Sequence, residues 1–257
     1  MKGNIWYIFL FLLIGFSCSE SQKTIRVLFV GNSYTYRNNM PKLFEEIAKS
    51  KGDDISVTHI TRGKYTFYLQ AKRKKLERAL RKENWDVIVL QGSSRDMLRD
   101  SVRFKEKTFP ALDKLLGLIH TTQKQAKVYF YMTWPYKNGD RKIKRFANPD
   151  SMLMAVSDGY SNLRNRYKTP VIPVGKVWRA YSLKYPKSNL YVRDNSHPSY
   201  SGSYLVACTM YSVIIGKSPV GASNVSIYDN TEYSQIQYFI GKEFKTKDFN
   251  FFLKDSI

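Results

Sequence analysis

Cysteine is almost missing from this chain: Cys18 and Cys208 are the only two in 257 residues. Cys18 falls in a stretch that reads as a leader, so no intramolecular disulfide is expected and stability has to come from the core. Histidine is nearly as scarce, with His59, His120 and His197 far apart. They make no ligand spacing with the cysteines, so neither a metal nor a cofactor is expected. Acidic residues are also in short supply: 21 Asp and Glu stand against 42 Lys and Arg, a formal net charge of +21. Such an excess either coats a solvated surface or draws a polyanion, whether acidic glycan, anionic membrane or nucleic acid. No zinc-finger spacing and no RNA-binding signature accompanies it, so nucleic acid ranks last and is not expected as a partner. Also lacking is any apolar run of the roughly 20 residues needed to span a bilayer.

The nearest thing to such a run is at the front. In "MKGNIWYIFLFLLIGFSCSE" a lysine at position 2 precedes an apolar stretch over residues 5–16, followed by small residues around Cys18. Residues 1–18 read as a signal peptide, which implies an exported, periplasmic or cell-surface protein. Gly15, Ser17 and Cys18 resemble a loose bacterial lipobox, whose cysteine becomes a lipidated, membrane-anchored N-terminus, although Phe16 is bulky for that motif. The alternative is plain cleavage without lipidation. Cys208, inside "SYLVACTMYSVII", reads as a small buried hydrophobe.

Past residue 24, short apolar runs alternate with longer amphipathic ones. Strands are expected at 25–30, 55–60, 85–92, 127–134 and 169–175. Helices are expected at 40–52, 67–84, 109–125, 149–167, 177–186 and 199–216, the second presenting Leu69, Leu76 and Leu80 on one face. Strands separated by helices imply βαβ units, hence an α/β fold: a three-layer α/β/α sandwich around a central, mostly parallel five-stranded sheet. No long Gly/Pro/Ser linker, internal repeat or low-complexity tract interrupts residues 24–257, which therefore read as one domain. The aromatic tail beyond residue 221 is expected to pack back on it.

Ligands of open parallel sheets bind beyond the carboxyl ends of the strands. There, "VGNSYT" puts Ser33 on a strand-to-helix corner, with its hydroxyl exposed and its N–H at a helix start. Such a serine is either a nucleophile with a ready oxyanion donor or a simple N-cap. It is not the G-x-S-x-G elbow, since position 35 is Thr, and no G-x-x-x-x-G-K phosphate loop is present. A serine nucleophile needs a base. His59 lies within a strand pattern and His120 near a helix end. His197 lies in the polar loop "YVRDNSHPSYSG", three residues after Asp194 and just before Pro198. That spacing lets the Asp194 carboxylate accept from Nδ1 while Nε2 faces outward. A polar helix-entry loop without chemistry is the other reading.

Taken together, Gly31-Asn32-Ser33 near the front and Asp194-x-x-His197-Pro198 near the end resemble the first and last blocks of the SGNH (GDSL-like) hydrolases, over residues 25–216. The chain resembles a branch with a "GNS" start and an "LQ-x-x-S" third block. The resemblance implies the flavodoxin-like SGNH fold, with Ser33 as nucleophile, His197 as base and then acid, and Asp194 as its orienter. It also implies an oxyanion hole made by the N–H of Ser33, the N–H of Gly63 in "TRGKY" and a side-chain amide. Most of the family uses Asn for that amide; here Gln91 in "VLQGSS" is the amide at that place.

The implied activity is that of a serine esterase forming an acyl-enzyme, most naturally a carbohydrate O-acetyl esterase on exported or extracellular glycans. The substrate would be an acylated glycan or a small ester. No apolar lid segment favours a lipase. Trp134 and Tyr136, after the fourth strand, either offer an aromatic platform for a sugar or pack over the loop. The basic helix "AKRKKLERALRK" either favours an acidic polysaccharide or faces solvent. A catalytically weak surface lipoprotein that binds polyanionic glycans is the alternative function.

Overall fold

The apolar runs pair into one sheet. In the computed structural model, which describes residues 23–98, 102, 104–223 and 230–243, the strands are β1 (Ile25–Gly31), β2 (Ile55–Thr61), β3 (Val87–Leu90), β4 (Lys127–Tyr131) and β5 (Val171–Ile172). They lie in the order β2-β1-β3-β4-β5, every neighbouring pair parallel. A sheet expected to be mostly parallel is wholly so. The expected leader with Cys18 lies outside the described residues.

The α-helices are α1 (Ser33–Tyr36), α2 (Met40–Ser50), α3 (Phe67–Gln70), α4 (Lys74–Lys82), α5 (Ser94–Met97), α6 (Phe109–Thr122), α7 (Pro149–Tyr167), α8 (Val174–Lys184), α9 (Tyr200–Ile214) and α10 (Asn230–Tyr238). They cover both faces of the sheet, as the period-2 alternation of strand side chains requires. Val27 and Phe29 of β1, with Val87 and Val89 of β3, pack on a core shared with α2, α8 and α9. Leu28, Val30, Ile88 and Leu90 point the other way, to a second core with α4, α6 and α7. Ile236, Phe239 and Ile240 of the aromatic tail are buried in the first core, Phe239 edge-on to Tyr181 at 5.1 Å.

Two local expectations change. The helix foreseen over 67–84 is broken between α3 and α4, because Arg73 takes an extended backbone (φ −83, ψ 106) at the start of α4. Unbroken, it would bring Leu69 to the same face as Leu76. The break instead leaves Leu69 39% exposed, while Leu76 and Leu80, one turn apart, are buried. The last strand shrinks to two residues, because Pro170 and Pro173 flank it and neither can donate to a ladder.

The strand order places the functional end of the molecule. The chain steps from β1 outward to β2, then back across to β3 on the other side of β1. Such a reversal leaves a crevice at the carboxyl ends of the two middle strands. Gly31 is level with Thr61 and Val30 with Leu90, so the residues following β1, β2 and β3 meet there.

Candidate active site

The corner after β1 is made tight by its glycine and closed by its asparagine. A Cβ on Gly31 would collide with Thr35 Oγ1 and stand 2.6 Å from Gln91 Oε1. Asn32 is the N-cap of α1, extended in backbone (φ −123, ψ −153), with its Oδ1 accepting from Tyr34 N–H at 3.1 Å. Asn32 Nδ2 donates to the Tyr65 carbonyl at 2.9 Å. Asn32 rather than Ser33 therefore does the capping, and the Ser33 hydroxyl is left free of helix duties.

That hydroxyl lies 2.8 Å from His197 Nε2. His197 Nδ1 lies 2.6 Å from Asp194 Oδ2, and Asp194 Oδ1 accepts from the backbone N–H groups of His197 at 2.8 Å and Ser196 at 2.9 Å. A carboxylate can only accept, so Nδ1 carries the proton and Nε2 is the acceptor for Ser33 O–H. Burial alone would raise the Asp194 carboxyl, but the His197 and Ser196 N–H groups and the imidazole outweigh it and hold the carboxyl below its ordinary value.

The loop that carries the acid and the base is itself a built turn. Tyr191 bridges to Pro198, Val192 N–H donates to the His197 carbonyl at 3.0 Å, and Asn195 sits in the left-handed region at φ 57, where Asn is tolerated. Ser199 then caps α9 by accepting from Gly202 N–H at 3.1 Å. Asn38 ties this loop to the serine corner, its Nδ2 donating to the carbonyls of Pro198 at 3.1 Å and Ser199 at 2.8 Å. Tyr34 meets the His197 ring edge-on at 5.4 Å, and its hydroxyl lies 2.5 Å from Ser196 Oγ.

Ser33, Asp194 and His197 are thus brought together, and around Ser33 and His197 is a cavity of about 140 Å³ lined also by Asn32, Tyr34, Lys64, Ser93, Ser94, Tyr136 and Ser196. Gly63 lies in the turn after β2 that Arg62 N–H ties to the Gly31 carbonyl at 3.2 Å. No acceptor for the Gly63 N–H is found among the described residues.

Of the expected site residues, Gln91 does not face the cavity, and Trp134 takes the packed one of its two readings. Gln91 is fully buried, with Oε1 accepting from Asn32 N–H at 2.8 Å and Thr35 Oγ1 at 2.9 Å, and Nε2 donating to the Gly92 carbonyl. Both ends of the amide are spent inside the fold, and Gln91 is no part of the cavity wall. Trp134, expected as one option to be a sugar platform, is also fully buried. Its ring is stacked between Tyr34 at 4.5 Å and Trp178 at 4.1 Å, and its indole N–H donates to the Ser196 carbonyl at 3.0 Å. Trp134 holds the histidine loop from behind instead of facing a ligand. Tyr136 does line the cavity, half-buried, with Arg95 5.8 Å from its ring and paired to buried Asp140 at 2.9 Å.

Elsewhere, His59 stands on the exposed part of β2, 3.0 Å from Thr61 Oγ1, and His120 is exposed at the end of α6. Among the described residues no group of His, Cys, Asp and Glu could hold a metal ion, and no helix is long and apolar enough to cross a membrane. Sequence reasoning missed Asn38, Tyr34, Ser196, Ser93 and Lys64. The first hint for Asn38 was its pairing with Asn39, since both adopt positive φ.

No family model matches the chain, and comparison with curated proteins finds no match. Solved structures do match in fold. A DUF4886 family protein from Bacteroides uniformis aligns with a TM-score of 0.74 at 18% identity, over 88% of this chain and 96% of that one. A candidate SGNH hydrolase from Slackia heliotrinireducens aligns at 0.59 and 24%, over 75% of this chain and all of that one. An acetyl xylan esterase, AlAXEase, aligns at 0.55 and 21%, over 74% of this chain and 100% of the other. The chain thus has the α/β fold of these structures.

Proposed function

We propose that this protein is a serine esterase, acting by an acyl-enzyme on O-acetyl or similarly small acyl groups of exported or extracellular glycans. The observation that carries the reading is the unbroken line from Ser33 Oγ through His197 to Asp194, at 2.8 and 2.6 Å. His197 takes the Ser33 proton as Oγ attacks the ester carbonyl. Asp194 keeps the imidazole in the right tautomer and stabilises its charged form. The N–H of Ser33, at the start of α1, and that of Gly63 are the backbone donors for the developing oxyanion. His197 then protonates the leaving alkoxide, and water activated by the same ring releases the acid.

A cavity of about 140 Å³ supports a small acyl group. The glycan reading draws support from the acetyl xylan esterase of like fold and from Tyr136 at the cavity wall. Export, and attachment to a membrane through a lipidated Cys18, rest on the sequence of residues 1–18.

A second reading, a weakly catalytic binder of polyanionic glycans, has one observation in its favour. Residues 55–76 contain six cations (Arg62, Lys64, Lys72, Arg73, Lys74 and Lys75) and no Asp or Glu. Lys64 from this stretch lines the cavity. Within the esterase reading, the same stretch favours an acidic glycan as substrate.

The deciding experiment follows p-nitrophenyl acetate hydrolysis and covalent labelling by a fluorophosphonate, with protein lacking residues 1–18. Turnover and labelling that both vanish in Ser33→Ala are expected. A native protein that behaves like Ser33→Ala would overturn the esterase and leave the glycan binder.

A further inference from the structure

Nearly every polar side chain around the cavity already has a partner. Asn32 spends its carbonyl on Tyr34 N–H and its amide on the Tyr65 carbonyl. The hydroxyls of Tyr34 and Ser196 bond to each other. Ser94 Oγ lies 2.9 Å from Thr133 Oγ1 in a buried pair. The Tyr136 hydroxyl interacts with Arg95 and Ser196. Ser33 and His197 have each other. Among the described residues, that leaves Ser93 and Lys64 with no side-chain partner. Lys64 is a long, exposed side chain at the mouth. Ser93 is short and half-buried in the wall.

Ser93 is free for a reason visible in its local structure. It occupies the N-cap position of α5 with an extended backbone (φ −78, ψ 136), where a serine ordinarily turns its oxygen onto the helix N–H groups, yet it makes no cap hydrogen bond. Its hydroxyl is thus a donor committed to nothing, on a residue that lines the same cavity as Ser33. Gln91, two residues before it, is in the opposite state, with both ends of its amide bonded in the interior. Its Oε1 holds the N–H of Asn32, the residue immediately before the nucleophile.

We propose that the Ser93 hydroxyl is the third oxyanion donor of this site and that Gln91 is a positioning residue that fixes the Gly31–Asn32 peptide, the one directly before the peptide that carries the Ser33 N–H. This rests on the esterase reading. As Ser33 Oγ bonds to the carbonyl carbon, its proton passes to His197 Nε2 and the C=O π pair moves onto oxygen. That oxygen accepts from Ser33 N–H, Gly63 N–H and Ser93 O–H. When the pair returns, the C–O bond to the alcohol breaks and the alkoxide takes the proton from His197. Ser93 gives up no proton and only donates a hydrogen bond that strengthens as charge develops.

The test compares Ser93→Ala, Ser93→Asn and Gln91→Met with the native enzyme on p-nitrophenyl acetate, with kcat, KM, the pH profile and thermal unfolding read in parallel. For Ser93→Ala, kcat falls on the order of 100-fold, the usual cost of one oxyanion donor, with KM, pH profile and unfolding held. Ser93→Asn, whose amide can donate in the same place, recovers a substantial part. Gln91→Met lowers kcat with KM held, alongside a lower unfolding temperature. The proposal is overturned if Ser93→Ala stays within a few fold of native, if its loss appears in KM alone, or if Gln91→Met loses kcat with unfolding unchanged. Should Ser93→Ala fail to fold, the near-isosteric Ser93→Cys, a much poorer donor, is judged by the same criteria. A native protein without turnover or labelling fails the esterase reading itself, whereas an active enzyme indifferent to Ser93 fails only this assignment.

Discussion

Ser33 Oγ and His197 Nε2 stand 2.8 Å apart although 164 positions separate them in the chain. Bringing them together is the work of the scaffold. Ser33 leaves the end of a central strand, His197 leads into α9, and α9 packs on α2, which follows the serine corner. Two side chains then fix the last ångströms: Asn38 from the serine side and Trp134 from behind the histidine loop. Their rigidity sets how much entropy is already spent before a substrate arrives.

Asp194→Asn separates catalysis from acid stability. An asparagine facing Nδ1 favours the wrong imidazole tautomer, so kcat for p-nitrophenyl acetate falls by roughly 10⁴-fold. The folded carboxyl lies below its ordinary value, so its contribution to stability is present above the unfolded value and is lost as pH falls through the lower folded one. Urea unfolding at neutral pH and in acid should therefore show the substitution costing stability at neutral pH and little once the pH lies below the folded value. An equal cost at both would count against this linkage.

Trp134→Ala distinguishes packing from ligand contact. Removing a fully buried indole from the Tyr34–Trp134–Trp178 stack should cost about 3–5 kcal/mol in urea unfolding and slow catalysis by loosening the histidine loop. Trp134→Phe should recover part of both. A change in KM with stability untouched would restore the platform reading.

Lys64→Gln probes the basic stretch. Lys64 lies in the left-handed region at φ 64 on the cavity wall. For matched acetyl esters of a uronic acid and of its neutral sugar, the preference in kcat/KM for the anion should drop about two- to fivefold, the scale of an exposed ion pair. The native preference should also fade at high salt. Equal treatment of both esters by the native protein would remove the case for an acidic substrate.

Cys208 should be silent until the protein unfolds. Burial leaves its thiol without exposed surface and pushes its ionisation up, so the thiolate is not available. In protein lacking residues 1–18, a soluble alkylating reagent should leave native Cys208 unmodified and modify it fully in denaturant. Rapid native labelling would mean that α9 opens on its own.

The strands were legible because strands buried on both faces must be apolar throughout, and such runs show in a window of a few residues. Asp194 and His197 were legible for a similar reason: three residues of loop are enough to set their partnership. The break before α4 was not, because Leu69, Leu76 and Leu80 satisfy a helical period whether or not Arg73 leaves it. Nor was the turning of Gln91. Its residue type fits a donor role, but its direction depends on Asn32 and Thr35, 59 and 56 positions away.

By itself, then, the sequence determined the layered α/β order and the chemical types at the strand ends, since hydrophobic period and short-range loop geometry are properties of neighbouring residues. Only the tertiary structure decided which of those side chains face the cavity. Asn32 took the cap and released Ser33, the interior claimed the Gln91 amide and the Trp134 ring, and Ser93 was left with an unused hydroxyl. A polar group is free for a ligand only when no closer partner satisfies it, and those partners arrive from distant parts of the chain.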